Sequence, residues 1–267
     1  MQEYIHGYTD KESIRLNDQA NTLVNLLHHD SVWPGGSLIL EAGCGVGAQT
    51  KIIAQKNINS QFISIDISSE SIKQAEELSN SLSITNVKYK QADIYNLPFN
   101  NNYFDHVFVC FVLEHLPNPV KALIELKRVL KPDGSIMAIE GDHGSAYFYP
   151  ESSEARKAIQ CQVELQKQNG GDANIGRRLY PLLCKSGFDK VNVSPRMVYV
   201  DDSKPNLVEG FTRNTFTAMI EGITDSAVAN NLISREQMEK GIKDLYKTAQ
   251  GNGTFCYTFF KGTGVKK

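Results

Sequence analysis

Between residues 37 and 141 the hydrophobic period changes repeatedly, from short apolar runs of strand type to segments with apolar residues every three or four positions. SLILEAG (37–43) reads as a short buried strand, 49–56 as a helix, QFISID (61–66) as a strand, and 68–82 as a helix with Ser68 as its N-cap. NVKYKQAD (86–93) and FDHVFVCF (104–111) follow as strands, separated by the loop NLPFNNN. A helix over 119–130 stops at KPDG (131–134), and SIMAIEG (135–141) closes the series as a strand. Strands that alternate with helices at this spacing pair in parallel through right-handed crossovers, which makes a three-layer α/β sandwich. Sheets of this kind bind ligands at the carboxyl ends of their strands.

The flanks are less regular. Thr9 and Glu12 have capping-box spacing, and Leu16, Ala20, Leu23, Val24 and Leu27 recur at helical intervals, so 10–29 is expected to be an amphipathic helix ended by WPGG (33–36). Segments 152–168 and 175–186 read as helices, GFDKVNVSP (187–195) and TFCYTFFKG (254–262) as strands. The 58 residues from 196 to 253 carry a mostly helical pattern and are too long for a simple connection. The expected division is therefore an N-terminal helical cap (1–36), a core (37–195), a helical lid insertion (196–253) and the last strand of the core (254–267).

Composition narrows the partners. With 41% apolar and 22% charged residues the chain has the make-up of a folded globular protein, and a net charge of −2 supplies no basic footprint for a nucleic acid. The longest apolar run, Val107 to Leu113, is far short of a membrane span, and the first residues lack a signal-peptide core, so a cytoplasmic protein is expected. Five scattered cysteines, Cys44, Cys110, Cys161, Cys184 and Cys256, form no C-x-x-C pair and read as buried thiols. No concentrated set of Asp, Glu or His points to a metal.

The first strand runs straight into EAGCGVG (41–47) and a helix. Glycines there let the backbone turn tightly and approach a ligand, although a purely structural turn would use them too. Asp66 ends the next strand, 23 residues beyond Gly43, where a carboxylate can hold both hydroxyls of a ribose. The spacing is G-x-G-x-G, not the G-x-G-x-x-G of a pyrophosphate cradle. Glu41 beside the turn would repel a pyrophosphate and attract an amine or sulfonium.

These residues resemble the class I S-adenosylmethionine-dependent methyltransferases. EAGCGVG looks like the family's first motif, Asp66 like its ribose-binding acid, Asp93 and Ile94 followed by NLPF like its adenine-binding pair, and FDHVFVCFVLEHL with KPDG like its fourth strand and the turn before its fifth. The resemblance implies a Rossmann-like three-layer sandwich around a seven-stranded, mostly parallel sheet, with an N-terminal helical cap and a helical insertion before an antiparallel last strand. It implies that Gly43 and Gly45 pass beneath the methionine part of S-adenosylmethionine, Glu41 orients that region, Asp66 holds the ribose and Ile67 packs on adenine. Asp93 would accept from the adenine amino group while Ile94 covers the other ring face, and Phe111, Glu114 and His115 would line the methionine end. Gln49 would meet the cofactor carboxylate at a helix start. Tyr8, in the aromatic segment EYIHGYT (3–9), would fold over the sulfonium, with Arg15 near the carboxylate. Ordinary structural roles stay open beside these: a strand-end turn acid for Asp93, a surface glutamine for Gln49, an exposed helix-start residue for His115, and a staple on the first helix for Tyr8.

Asp142 and His143, expected just after the fifth strand, are the best placed acid–base candidates, with His143 as the catalytic residue. Their adjacency on an extended chain argues against a direct pair. The overall likeness is to the small-molecule branch that includes ubiquinone and menaquinone methyltransferases, which implies a small, hydrophobic acceptor and a monomer or homodimer. Phe211, Phe216, Met219 and Ile220 of the insertion fit a lid over such an acceptor and fit a packed helix equally well. Two other functions share the motifs: a non-catalytic S-adenosylmethionine-binding regulator, and an NAD-dependent oxidoreductase.

Overall fold

The computed structural model describes residues 10–267. Helices α1 (Asp10–His28), α2 (Thr50–Lys56), α3 (Ser69–Ser81) and α4 (Pro119–Val129) alternate with strands β1 (Leu38–Ala42), β2 (Gln61–Asp66), β3 (Val87–Gln91), β4 (Phe104–Cys110) and β5 (Leu130–Tyr149). Then come α5 (Ser153–Gln168), a 3₁₀ turn (Ile175–Arg178), α6 (Leu179–Lys185) and β6 (Asp189–Val200). A helical run of α7 (Pro205–Leu207), a π-helix (Val208–Thr217), α8 (Ala218–Gly222), α9 (Thr224–Ala229) and α10 (Arg235–Lys247) leads to β7 (Thr254–Val265). Local chemistry sets several boundaries: Ser68 caps α3 by accepting from the Ser71 N–H, Asn118 caps α4 with Pro119 in its first turn, and Ser152 caps α5.

The seven strands form one sheet in the order β3-β2-β1-β4-β5-β7-β6. β1 to β5 pair in parallel, and β7 runs antiparallel between β5 and β6. Alternation along each buried strand feeds the two faces. Ile39, Phe108 and Ile139 pack with α1, α2, α5 and the inserted helices, while Leu40, Val107, Val109 and Ala138 pack with α4 and α6. Residues at the level of Ala42, Ile65, Val109 and Cys110 pair across neighbouring strands, so the turns leaving β1 to β4 open on one edge of the sheet.

Two expectations need correction. β5 runs through the KPDG stop and well past residue 141: Ser135–Asp142 pair with Thr258–Val265 of β7, the register shifts, and Tyr147–Tyr149 pair with Thr254–Cys256. Asp142 and His143 therefore sit inside a bulged strand and not in a loop after it. β6 continues to Val200, past the expected start of the insertion at 196, because Arg196–Val200 pair with Phe255–Phe259. The inserted aromatics also pack as core: Phe211, Phe216 and Ile220 are buried with Phe255, Tyr257 and Phe259, with Phe216 and Phe255 ring centroids 4.7 Å apart. Phe211 lies within about 6 Å of the same three β7 rings, in edge-on contacts.

Candidate functional site: the carboxyl edge of the sheet

The turn after β1 is left-handed at Gly43 (φ 79°), Gly45 (φ 51°) and Gly47 (φ 81°). Only two of these need glycine for reasons that bear on a ligand. A Cβ on Gly43 would lie 2.4 Å from Val112 Cγ2, so the turns after β1 and β4 touch through a missing side chain. A Cβ on Gly45 would meet nothing within 4 Å, which leaves open space over its backbone. Asp66 ties this turn to β2: its Oδ2 accepts from the Gly45 N–H (2.8 Å) and its Oδ1 from the Ser68 N–H (2.9 Å). Burial pushes the Asp66 carboxyl up, and the Ser68, Gly45 and Ile67 amides partly offset it. Beside it Ile67 is 53% exposed, an apolar surface left uncovered next to a carboxylate.

Glu41 lies beneath the turn, fully buried, and its Oε2 accepts from Thr50 Oγ1 (2.7 Å) and Ser64 Oγ (2.5 Å). Burial raises its pKa to about 7, with the Asp66 charge adding to the rise and the two hydroxyls opposing it. A carboxyl whose folded pKa lies above its unfolded value of 4.5 binds more protons when folded, so stability falls as pH rises through that window. The expected loss from this group between pH 5 and pH 8 is on the order of 3 kcal/mol. In urea denaturation of the ligand-free protein, Glu41→Gln should show a shallower pH slope than wild type; parallel slopes would remove Glu41 as the cause.

Asp93 is exposed after β3, and its Oδ1 accepts from the Tyr95 N–H (2.8 Å), the turn-acid geometry, with Ile94 half-buried beside it. After β4, Phe111 adopts a left-handed backbone (φ 58°), a conformation that costs a bulky residue about 1–2 kcal/mol. Glu140 holds the turn that follows, as its Oε1 accepts from the Val112 (3.1 Å) and Leu113 (2.8 Å) N–H groups. Burial first, then the Glu114 charge, push the Glu140 carboxyl well up. Glu114 is buried, accepts from Gln166 Nε2 (3.2 Å) and lies 3.6 Å from His115 Nε2.

The structure thus brings Glu41, Gly43, Gly45, Asp66, Ile67, Asp93, Ile94, Phe111, Glu114 and His115 to one edge of the sheet. Gln49 is turned elsewhere: its Oε1 meets His28 Nε2 of α1 at 2.8 Å, and burial holds His28 neutral, near pKa 4. Arg15 lies on α1, where Nη1 donates to Gln19 Oε1 at 3.4 Å; burial, and to a lesser extent the charges of His115 and Arg15, lower the His143 pKa. Tyr8 lies outside the described residues. Asp142 and His143 do not pair. The Asp142 carboxylate is taken by Arg177, with Nε at 2.6 Å and Nη2 at 2.5 Å, whereas His143 Nδ1 lies 2.9 Å from the Tyr257 hydroxyl.

Glu140 and Tyr257 were not foreseen. Tyr257 had a readable signal, since it shares the inward period of Phe255 and Phe259, where a buried hydroxyl needs a partner. Glu140 had none, because its partners are backbone amides 27 and 28 residues earlier. A surface cleft of about 630 Å³ lies elsewhere, lined by inserted-segment residues including Glu221, Asp225, Arg235 and Tyr246, and contains none of these groups. Among the described residues no group of three or more His, Cys, Asp or Glu could hold a metal, and no helix is long and apolar enough to cross a membrane.

Comparison with known proteins agrees with this geometry. A family described as "Methyltransferase domain" matches residues 40–138. The chain is 36% identical over 147 residues to an uncharacterized methyltransferase of Schizosaccharomyces pombe, covering 53% of this chain and 52% of that one. It is 31% identical over 134 residues to the demethylmenaquinone methyltransferase of Staphylococcus carnosus, covering 46% of this chain and 54% of that one. The chain thus spans about half the length of these curated relatives. In fold it is similar to a phosphoethanolamine N-methyltransferase 2 of Haemonchus contortus solved with S-adenosylhomocysteine: TM-score 0.60 at 18% identity, covering 97% of this chain and 58% of that one. Residues 40–138, which carry the glycine turn, Asp66 and Asp93, therefore match a methyltransferase domain.

Proposed function

We propose that this chain transfers a methyl group from S-adenosylmethionine to a small, apolar acceptor. The observation that carries the reading is the β1 turn, where Gly45 has open space over its backbone and its N–H is held by the carboxylate of Asp66 from the neighbouring strand. A ligand can approach that backbone closely, with a ribose in reach of Asp66 and an adenine over the exposed Ile67. Asp93 and Ile94 would bind the adenine edge and face. Glu41 steadies the turn from beneath; Phe111, Glu114 and His115 surround the methionine end, with Arg15 toward its carboxylate. Gln49 would reach the cofactor carboxylate only by leaving His28. When bound, S-adenosylmethionine supplies a sulfonium-activated methyl group for in-line displacement, so the protein's task is alignment and exclusion of water. The helical segment between β6 and β7 covers the acceptor side, which favours an apolar molecule. His143 is the side chain we place at the acceptor.

Thermal unfolding tests the reading. S-adenosylmethionine and S-adenosylhomocysteine at about 100 times their dissociation constants should each stabilise the protein by roughly 2.7 kcal/mol. Asp66→Ala should lose that stabilisation, and NAD should give none. Stabilisation by NAD alone would overturn the proposal in favour of an oxidoreductase. Tight cofactor binding without transfer to any of a panel of acceptors would favour a regulatory protein.

A further inference from the structure

The buried polar groups around His143 constrain where its proton sits. The imidazole is 7% exposed, its Nδ1 lies 2.9 Å from the Tyr257 hydroxyl, and its Nε2 is buried with no hydrogen-bond partner. The seat of the Tyr257 hydroxyl exists because residue 141 is glycine: a Cβ there would lie 2.4 Å from the Tyr257 oxygen.

A phenol has one proton to donate. If it donates to Nδ1, the ring carries its proton on Nε2, and only that one group is left unmet. If instead Nδ1–H donated to the phenol oxygen, both the phenol proton and the Nε2 lone pair would be buried without partners. Buried polar groups are overwhelmingly paired, so the first arrangement is favoured. Burial keeps the ring neutral and the phenol protonated, as this arrangement requires.

We propose that Tyr257 is a positioning residue that locks His143 in the tautomer with its proton on Nε2, so that His143 meets the methyl acceptor as a hydrogen-bond donor to a carbonyl or anionic oxygen, and not as a base. The location fits, because the His143 N–H donates to the Ala173 carbonyl (3.0 Å) and the adjoining Asp172 N–H donates to the Glu114 carbonyl (2.8 Å), which places His143 beside the turn after β4. Phe216, with its ring centroid 6.1 Å from that of His143, and Tyr257 supply an apolar wall. The proposal rests on the methyltransferase reading for the identity of the ligand, but not for the state of the ring.

The tautomer can be read directly from ¹⁵N-histidine-labelled, ligand-free protein by two-bond ¹H–¹⁵N correlation, with His143 assigned from its loss in His143→Gln. Wild type should show a protonated Nε2 and an unprotonated Nδ1, and Tyr257→Phe should shift population toward Nδ1–H. Protonation at Nδ1 in wild type would overturn the proposal without recourse to any variant. Binding of 4-nitrophenolate in the presence of S-adenosylhomocysteine tests the donor role. His143→Ala should weaken it roughly ten- to a hundred-fold, while His143→Gln, which keeps an N–H donor but cannot act as a base, should stay within about threefold of wild type. Equal losses in both variants, or no binding by wild type, would overturn the assignment of an oxygen ligand. If S-adenosylhomocysteine failed to bind, the methyltransferase reading would fall, and the tautomer measurement would still stand by itself.

Discussion

Truncation of Phe211 to alanine should cost about 3–5 kcal/mol, the range for emptying a fully packed aromatic site. Phe211 is 1% exposed and lies edge-on to Phe255, Tyr257 and Phe259, so the space it leaves is walled by a strand paired on both sides. A wall of that kind collapses poorly. Urea denaturation would show the loss as a fall in midpoint at nearly constant slope, and thermal unfolding as a fall of roughly 10 °C. A cost below about 1 kcal/mol would mean that the inserted segment moves as a detachable cover. The prediction thus separates the two meanings an apolar insertion can have. Aromatic spacing is equally compatible with either, and the contact with β7 favours the core.

The second large effect separates folding from binding within a single turn. Gly43→Ala should destabilise the protein by about 2–5 kcal/mol, combining the left-handed strain of a β-carbon, about 1–2 kcal/mol, with an overpacking cost of about 1–3 kcal/mol against Val112. Gly45→Ala bears only the strain, because its new methyl group would meet no protein atom within 4 Å. Its methyl group would occupy the space proposed for the cofactor, so affinity for S-adenosylhomocysteine should fall at least tenfold while stability falls only by the strain of about 1–2 kcal/mol. Differential scanning calorimetry and isothermal titration on the two variants would check this. Unchanged affinity in Gly45→Ala would mean that the open space over the turn is not where the ligand lies.

The two halves of the chain differ in how far their patterns could be read. Ser68 as the cap of α3, the end of β2 at Asp66 and the turn at Gly43 to Gly47 all follow from interactions within a few residues, and each stands where periodicity and composition put it. The parallel sheet follows as well, since strands joined by helices have few other ways to pair. The fates of Asp142, Gln49 and β5 are different. Asp142 is claimed by Arg177, 35 residues on, and Gln49 by His28, 21 residues back. β5 is more than three times the length of a typical strand because β7, more than a hundred residues later, supplies an antiparallel partner through Tyr149.

The order of motifs and the parallel core were determined by the sequence alone. Hydrophobic period, helix caps and glycine conformational freedom act over spans shorter than a single element, and the identity of the nearby residues is enough to specify them. The tertiary structure alone decided which buried polar groups face one another: Tyr257 with His143, Arg177 with Asp142, Glu140 with the turn after β4. Such pairings are set by which strands become neighbours, and a buried donor takes whatever acceptor that packing brings within reach, at any distance along the chain.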